Sequence, residues 1–489
     1  MDRRDFTARY GAYRALVDDW PAFGAAMHAP LPRVMWAHPE RLTRAALERI
    51  LVEDGLAAQR VGWAPPALRL AADAPAGLHW GFWAGLFHLQ EEASLLPVRL
   101  LGPRPGDRVL DLCAAPGGKT AQIALALHQR GTVVANDRNA TRLAALSVTV
   151  ARLGLRNVTI THGDGAVIAL PEAAFDGVLV DAPCTAEGTG RRQRTWTAVD
   201  PAFRSWVAGV QRALLRRAAD LVRPGGRIVY STCTFAPEEN EGVVDAVLKE
   251  RGDLTVVPVP PPEGLRLGPG VDAWARPTRA GELLSPTRCT YDPSVRSAVR
   301  LWPHHNDTGG FFAAVLERAG TGLRRPLGPP LADACPALED ERVAGFRDAY
   351  GLPDEALAGH VALARGRYVR LLADDHVIVD EGPRYVAAGL PLTRTEGGVP
   401  KLSTAGGLHL GRSATRRVVE VDRDAAAAFQ RREPIGRPAG WRGPPRGFVL
   451  VRHRGHPLGL GLVRAELDAI ESHLPKAWSK LAAGAGRAP

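Results

Sequence analysis

The stretch RVLDLCAAPGGKTAQIALALHQR, residues 108–130, decides the fold. A short β-rich run, RVLDL, ends on an acid, passes through a loop of small residues, and gives way to a stretch with helical spacing of apolar residues. Downstream the same alternation recurs. TVVAND, VTITHGD, FDGVLVDAP and RIVYSTC are short β-rich runs, and most are separated by helix-length stretches such as NATRLAALSVTVARLGL and DPAFRSWVAGVQRALLRRAADLV. Strands alternating with helices predict an α/β fold with a mostly parallel, Rossmann-like sheet covered on both faces.

In such a sheet, ligands bind beyond the carboxyl ends of the strands. Here the strand ends carry Asp111, Asp137, Asp164, Asp181 and Cys233. Four acids and a thiol at successive strand ends point to a site. Small residues in the loop Cys113, Ala114, Ala115, Pro116, Gly117, Gly118 and Lys119 let a ligand approach the backbone, and the helix that follows offers free N–H groups. A phosphate loop is the competing reading, but position 113, where its first glycine would fall, is Cys113. An adenosine-containing cofactor fits better. Asp137 stands where nucleotide-binding sheets hold ribose hydroxyls, and Asp164 where the adenine edge would lie.

Two thiols, Cys184 in DAPC and Cys233 in STC, fall at the mouth of the same sheet. An inert core cysteine belongs in the middle of a strand. Paired thiols beside a methyl-donor pocket suggest chemistry at a cytosine. A thiolate adding to carbon 6 turns carbon 5 into a nucleophile, and a base must then remove the carbon-5 proton so that the thiol can leave. Asp181 could hydrogen-bond the base and stabilise the adduct, with Pro183 stiffening the loop.

DLCAAPGGKT, DAPCTAEGTGRR and YSTCTFAPEENEGVV closely resemble the motifs of the Fmu/Nop/Sun family of RNA 5-methylcytosine methyltransferases. LQEEASLLPV and RLWPHHNDTGGFF extend the resemblance over residues 76–319. The tail GFVLVRHRGHPLGLGLV…LPKAWS is similar to the PUA-like end of RsmF-type ribosomal RNA methyltransferases. The resemblance implies Cys233 as nucleophile and Cys184 as the residue that assists product release. It places residues 113–119, Asp137, Asp164 and Asp181 around S-adenosylmethionine, with Lys119 facing the target base. It implies RNA as partner, with 16S ribosomal RNA or the small subunit ahead of transfer RNA. An RNA-binding assembly factor with a degenerate catalytic domain would have lost a cysteine or the cofactor loop, and this chain keeps both. The family's Arg-Val-Asn-rich segment is represented by PRVMWAHPE, with Met35 in place of Asn.

Composition agrees with a globular RNA partner. The 489 residues are 45% hydrophobic and 23% charged, with a net charge of +10, which excludes a mostly disordered chain. From Glu381 to Pro489 there are 18 Lys and Arg against 9 Asp and Glu, so almost the whole surplus lies in the tail. An uneven basic charge suits a polyanion, and Trp441, Arg442, Arg446, Arg452 and Arg454 are candidate phosphate contacts. Five cysteines without a CxxC pair support neither a zinc ribbon nor a disulfide framework. Cys113, Cys289 and Cys335 read as structural, and His304 and His305 lack a metal-ligand pattern, so no metal is expected. No apolar run reaches the ~18 residues of a membrane span, and MDRRDFTARY lacks the apolar core of a secretory signal. The expected location is the cytoplasm and the expected state a monomer. The expected domains are a helical RNA-binding region at 1–75, with a linker or edge element around APPALRLAADAPAG, and a catalytic domain at 76–320 whose first part, 77–102, looks helical. A linker with a small helical segment at 321–380 and a basic PUA-like domain at 381–489 complete the chain.

Overall fold

The computed structural model describes residues 3–193, 198–276, 287–327, 334–379, 382–396, 399–438, 441, 443–464, 466–476 and 478. Its centre is a ten-stranded sheet. The strands that matter for the site are β1 (Arg108–Asp111), β2 (Thr132–Asp137), β3 (Val158–His162), β4 (Phe175–Asp181), β5 (Val222–Thr232), β6 (Phe311–Arg318) and β7 (Arg384–Ala388). They run in the spatial order β6-β5-β4-β1-β2-β3-β7. β1 to β5 are mutually parallel, whereas β6 and β7 are antiparallel additions at the two sides.

Side chains alternate along the strands as a two-faced parallel sheet requires. Val109, Val133, Leu179 and Val229 enter one apolar core with Ala121, Leu143 and Leu146 of helices α1 (Gly118–Ala126) and α2 (Ala140–Leu153). Leu110, Val134, Val178, Val180 and Ile228 enter the other, against Leu214, Leu215 and Ala218 of α3 (Pro201–Leu221). Strand order reverses between β4 and β2 on either side of β1, which opens a crevice at the carboxyl end of β1.

The amino-terminal region departs from the helical expectation. Helices at Arg3–Tyr10, Trp20–His28 and Arg44–Glu53 are present, but a four-stranded sheet lies among them. Arg33–Ala37, from the PRVMWA stretch, is an interior strand paired with Ala67–Leu70 and Phe87–Leu89. Residues 67–70, within the stretch expected to be a linker or edge element, are therefore an interior strand too. The 77–102 stretch is not one helix; it holds a helical turn at Trp80–Trp83, the strand 87–89 and a helix at Leu96–Leu101. Glycines at 81 and 85 and the Pro97 at the start of the last helix break what apolar spacing alone reads as continuous.

The boundary expected near 380, at residues outside those described, does not separate two bodies. Strands Ala334–Pro336, His360–Arg365, Tyr368–Ala373, Leu390–Glu396 and Val399–Leu402 form one five-stranded sheet that spans it. The stretch 321–380, expected to be a linker with a small helical segment, holds that helix, at Glu341–Tyr350, and also contributes three of these strands. Ile378 and Val379 of the HVIVD run are buried in coil. A second five-stranded sheet, built around the hairpin Gly447–His453 and His456–Val463, completes a β-rich carboxyl-terminal region. Among the described residues no helix is long and apolar enough to cross a membrane.

Candidate active site

The loop after β1 is fixed by β2. Ala114 N–H donates to the Asn136 carbonyl at 2.8 Å, and Ala115 N–H donates to Asp137 Oδ2 at 3.1 Å. The other Asp137 oxygen accepts from Asn139 N–H at 2.8 Å. Asp137 is thus a buried brace, each oxygen taking one backbone amide, and only its remaining lone pairs are left for a ribose. Gly117 adopts φ +105°, and a Cβ there would lie 2.7 Å from Leu146 Cδ1, so the loop packs backbone-close on α2. At the end of β1, Thr120 Oγ1 donates to Asp111 Oδ2 at 2.7 Å, while Asp111 Oδ1 is buried without a partner. Burial raises this carboxyl to about 7. Burial likewise pushes the Cys113 thiol up, in keeping with a structural role. Asp164 is exposed, and one of its oxygens accepts from Ala166 N–H in its own turn at 3.0 Å.

Two loops bring the thiols together. Cys184 follows β4, Cys233 follows β5, and their sulfurs lie 3.4 Å apart. Asp181 ends β4 beside them; Lys119 Nζ donates to its Oδ2 at 2.7 Å and Ser231 Oγ to its Oδ1 at 2.8 Å. Burial pulls the Lys119 ammonium down, but the Asp181 carboxylate outweighs it and holds the group above its ordinary range. The Cys184 thiol is pushed well up, first by its hydrogen bond with Cys233 and then by burial.

Behind the sulfurs lies a buried polar network that sequence reasoning did not single out. The hydroxyl oxygens of Thr185 and Thr234, each the residue after a cysteine, lie 2.9 Å apart. Glu239 accepts from Thr185 N–H at 3.0 Å and from its hydroxyl at 2.5 Å; Glu187 accepts from Thr234 Oγ1 at 2.7 Å, from Tyr13 Oη at 2.6 Å and from Arg204 at 2.9 Å. Gly188 N–H donates to the Cys233 carbonyl, and Gly310 N–H donates to the Gly188 carbonyl. A Cβ on Gly188 would lie 2.3 Å from the Gly310 oxygen, so glycine is required where the TGGFF motif crosses the Cys184 loop. The glutamates and glycines sit inside the resembling motifs, which was the available signal.

Two of the basic candidates are occupied elsewhere. Arg452 donates to the Gly411, Arg412 and Ala414 carbonyls, and Arg454 pairs with Glu53 at 3.1 Å and Asp54 at 3.3 Å. They tie the tail to itself and to the amino-terminal region rather than presenting a free basic face. Trp441 packs partly buried against the core those regions share, and Arg446 is exposed. Arg442 lies outside the described residues, as does part of the LPKAWS run. His304 and His305 both meet Asp18, at 2.8 and 3.0 Å, and Arg266 joins them at 2.7 Å. These bonds fasten the amino-terminal segment to the catalytic sheet.

A doubly covered parallel sheet with a cofactor crevice at its reversal point and paired thiols over the next two strand ends defines a class: a Rossmann-like methyltransferase. Residues 98–317 match the family model described as 16S rRNA methyltransferase RsmB/F. The chain is 33% identical to the ribosomal RNA small subunit methyltransferase F of Aeromonas salmonicida, over 77% of this chain and 76% of that protein. It is also 33% identical to a mouse 28S rRNA (cytosine-C(5))-methyltransferase over 65% of this chain, but the match spans only 39% of the mouse protein. A methyltransferase homologue from Pyrococcus horikoshii superposes with a TM-score of 0.51 at 28% identity, covering 64% of this chain and 93% of that one. The chain belongs to the RsmB/F family of ribosomal RNA methyltransferases, whose methyl donor is S-adenosylmethionine. The residues present fit that cofactor: a glycine cradle with no room for side chains, a buried acid with an unpaired oxygen, and no phosphate-loop spacing.

Proposed function

We propose that this chain methylates carbon 5 of a cytosine in small-subunit ribosomal RNA, with Cys233 as nucleophile and Cys184 as the group that releases the product. The observation that carries the assignment is the 3.4 Å separation of the two sulfurs beside Asp181. S-adenosylmethionine, held by the 113–119 loop, Asp137, Asp164 and Asp181, supplies an electrophilic methyl group. Lys119 and Ser231 fix the Asp181 carboxylate, and each of its oxygens keeps a lone pair for the exocyclic amino group of the base.

The two thiols share a hydrogen bond, and that bond together with burial pushes the Cys184 thiol well up. Cys233 adds to carbon 6, forming a C–S bond and placing the electron pair that takes the methyl group on carbon 5. Once its sulfur is bonded to carbon, Cys233 no longer has a free thiol or thiolate facing Cys184. Two of the causes that keep Cys184 protonated then vanish, leaving burial as the main one. Cys184 gives its proton to solvent and accepts the one on carbon 5. The electrons of that C–H bond re-form the ring double bond and expel Cys233 as thiolate. One proton leaves per turnover, and both sulfurs return to their starting states.

A stacked cytosine hides carbons 5 and 6, so the target must be unpaired or turned out of its stack. The basic, PUA-like carboxyl-terminal region would grip phosphates and position the RNA. On this reading the chain is a monomer acting in the cytoplasm, and light scattering of the pure protein checks the first point. Cys233→Ala should lower methyl transfer by about a thousandfold or more while cofactor binding persists. Cys184→Ala should accumulate a protein–RNA adduct seen as a denaturation-resistant gel shift. Equal adduct in both variants would show the two roles to be wrongly assigned. Bisulfite sequencing of RNA from a deletion strain names the substrate: loss of a small-subunit site supports the reading, and loss confined to transfer RNA overturns it.

A further inference from the structure

At the edge of the main sheet remote from the cysteines, where α2 ends and β3 begins, three parts of the chain surround a cleft of about 460 Å³. Arg41 and Thr43 come from the amino-terminal region, Arg156 from the turn between α2 and β3, and His409, Arg412 and Ser413 from the end of the helix Thr404–Leu410.

The charge here does not balance. Arg41 donates from Nη1 to the carbonyls of Ala84 and Arg152 at 2.8 and 3.0 Å, but its Nη2 is buried without a partner. Arg156 gives Nη1 to the His409 ring and Nη2 to Glu40 at 3.3 Å, and its Nε is likewise buried and unpartnered. Arg412 is exposed and donates to the Arg41 carbonyl. Among the described residues, Glu40 is the sole carboxylate lining the cleft. Burial, reinforced by the charge of Arg156, pushes Arg41 down to about 9 and holds His409 well below the ordinary histidine range. The carbonyl end of α2 offsets part of this, since it receives Arg41 and His38. The opposite pole of another helix adds to it. Thr43 caps the ten-residue helix Arg44–Glu53, accepting from Ala46 N–H at 3.2 Å, and that helix carries no acid in its first turn. Buried cations without counter-charge are costly, and an anion from outside relieves them.

We propose that this cleft is an oxyanion site that takes a phosphate group, with Arg412 and the hydroxyls of Thr43 and Ser413 as its donors in the field of Arg41 and Arg156. Two sources share that chemistry: a backbone phosphate of bound RNA, and a free phosphate compound. α2 separates the cleft from the Asp137 end of the sheet by fourteen residues, roughly 20 Å. An RNA held here would be gripped well away from its target base. Only the RNA source rests on the function proposed above.

The test is thermal melting of the full chain in inorganic phosphate against chloride at equal ionic strength. A saturable rise of about 2 °C or more is expected, and it should be lost in Arg412→Gln. Ser413→Asp places a carboxylate at the mouth; it should raise the phosphate-free midpoint and remove the phosphate response. No phosphate response in the parent chain, or a lower midpoint in Ser413→Asp, overturns the site. The source is read from RNA binding against salt concentration. A log–log slope shallower by about one in Arg412→Gln identifies an RNA phosphate. An unchanged slope with a lost phosphate response identifies a free phosphate ligand. Failure of the methylation reading would show as absent turnover in the parent chain, which none of these melts requires.

Discussion

Asp111 ends β1 with one oxygen held by Thr120 and the other unpaired, and burial raises its carboxyl to about 7. In the unfolded chain the same group ionises near ~3.9. Between those values the folded chain holds a proton that the unfolded chain has lost, so this residue's contribution to stability falls as pH climbs from about 4 to about 7, and is level beyond. Asp111→Asn should make the fall in stability over that window shallower, measured by urea unfolding at pH 5 and 7.5; an unchanged difference between the two pH values would refute it. At this scale the two thiols were legible because they stand at strand ends, where side chains face a ligand rather than a core. The duties of the acids were not. Asp137 was read as a ribose ligand, yet both of its oxygens also brace backbone amides. The Glu187 and Glu239 network joins loops 49 residues apart through Thr185 and Thr234, a distance no local pattern reports.

Among the elements, the turn from β1 into α1 is the most constrained. Gly117 holds φ +105° with Leu146 Cδ1 2.7 Å from where a Cβ would stand. Gly117→Ala should cost about 1–3 kcal/mol of stability and weaken S-adenosylmethionine binding, because relief requires the loop to lift from α2. Calorimetric titration with the cofactor, alongside a denaturant melt, checks both effects; native affinity would remove the loop from the cofactor site. The parallel strands were readable because each is a short apolar run ended by a turn, and all but β3 lead on into a helix. Strands 33–37 and 67–70 were not, since they are short, flanked by prolines, and gain their partners only by pairing with each other, with 59–60 and with 87–89. The sheet spanning residue 380 was missed for a related reason: its register joins 368–373 to 390–396 around β7, which leaves for another sheet.

For the molecule as a whole, the ends of the chain share a core. Met35, Leu47, Trp80 and Phe87 pack with Val419, Phe429, Val451 and Leu474, and Trp80 meets His453 edge-on at 4.9 Å. The carboxyl-terminal region is therefore built into the body rather than tethered to it. Trp80→Ala, which also strips the 2.7 Å bond from its Nε1 to Asp54, should destabilise by about 3–5 kcal/mol. It should shift the calorimetric unfolding profile as a whole; early melting of the tail alone would show that the regions unfold independently. β7 has a further consequence for how the protein is made. The open flank of β3 is closed by a strand that leaves the ribosome only after more than two hundred further residues have been synthesised. Until then the nascent catalytic half exposes a bare strand edge, so a chaperone that shields such edges during translation should raise the yield of active enzyme.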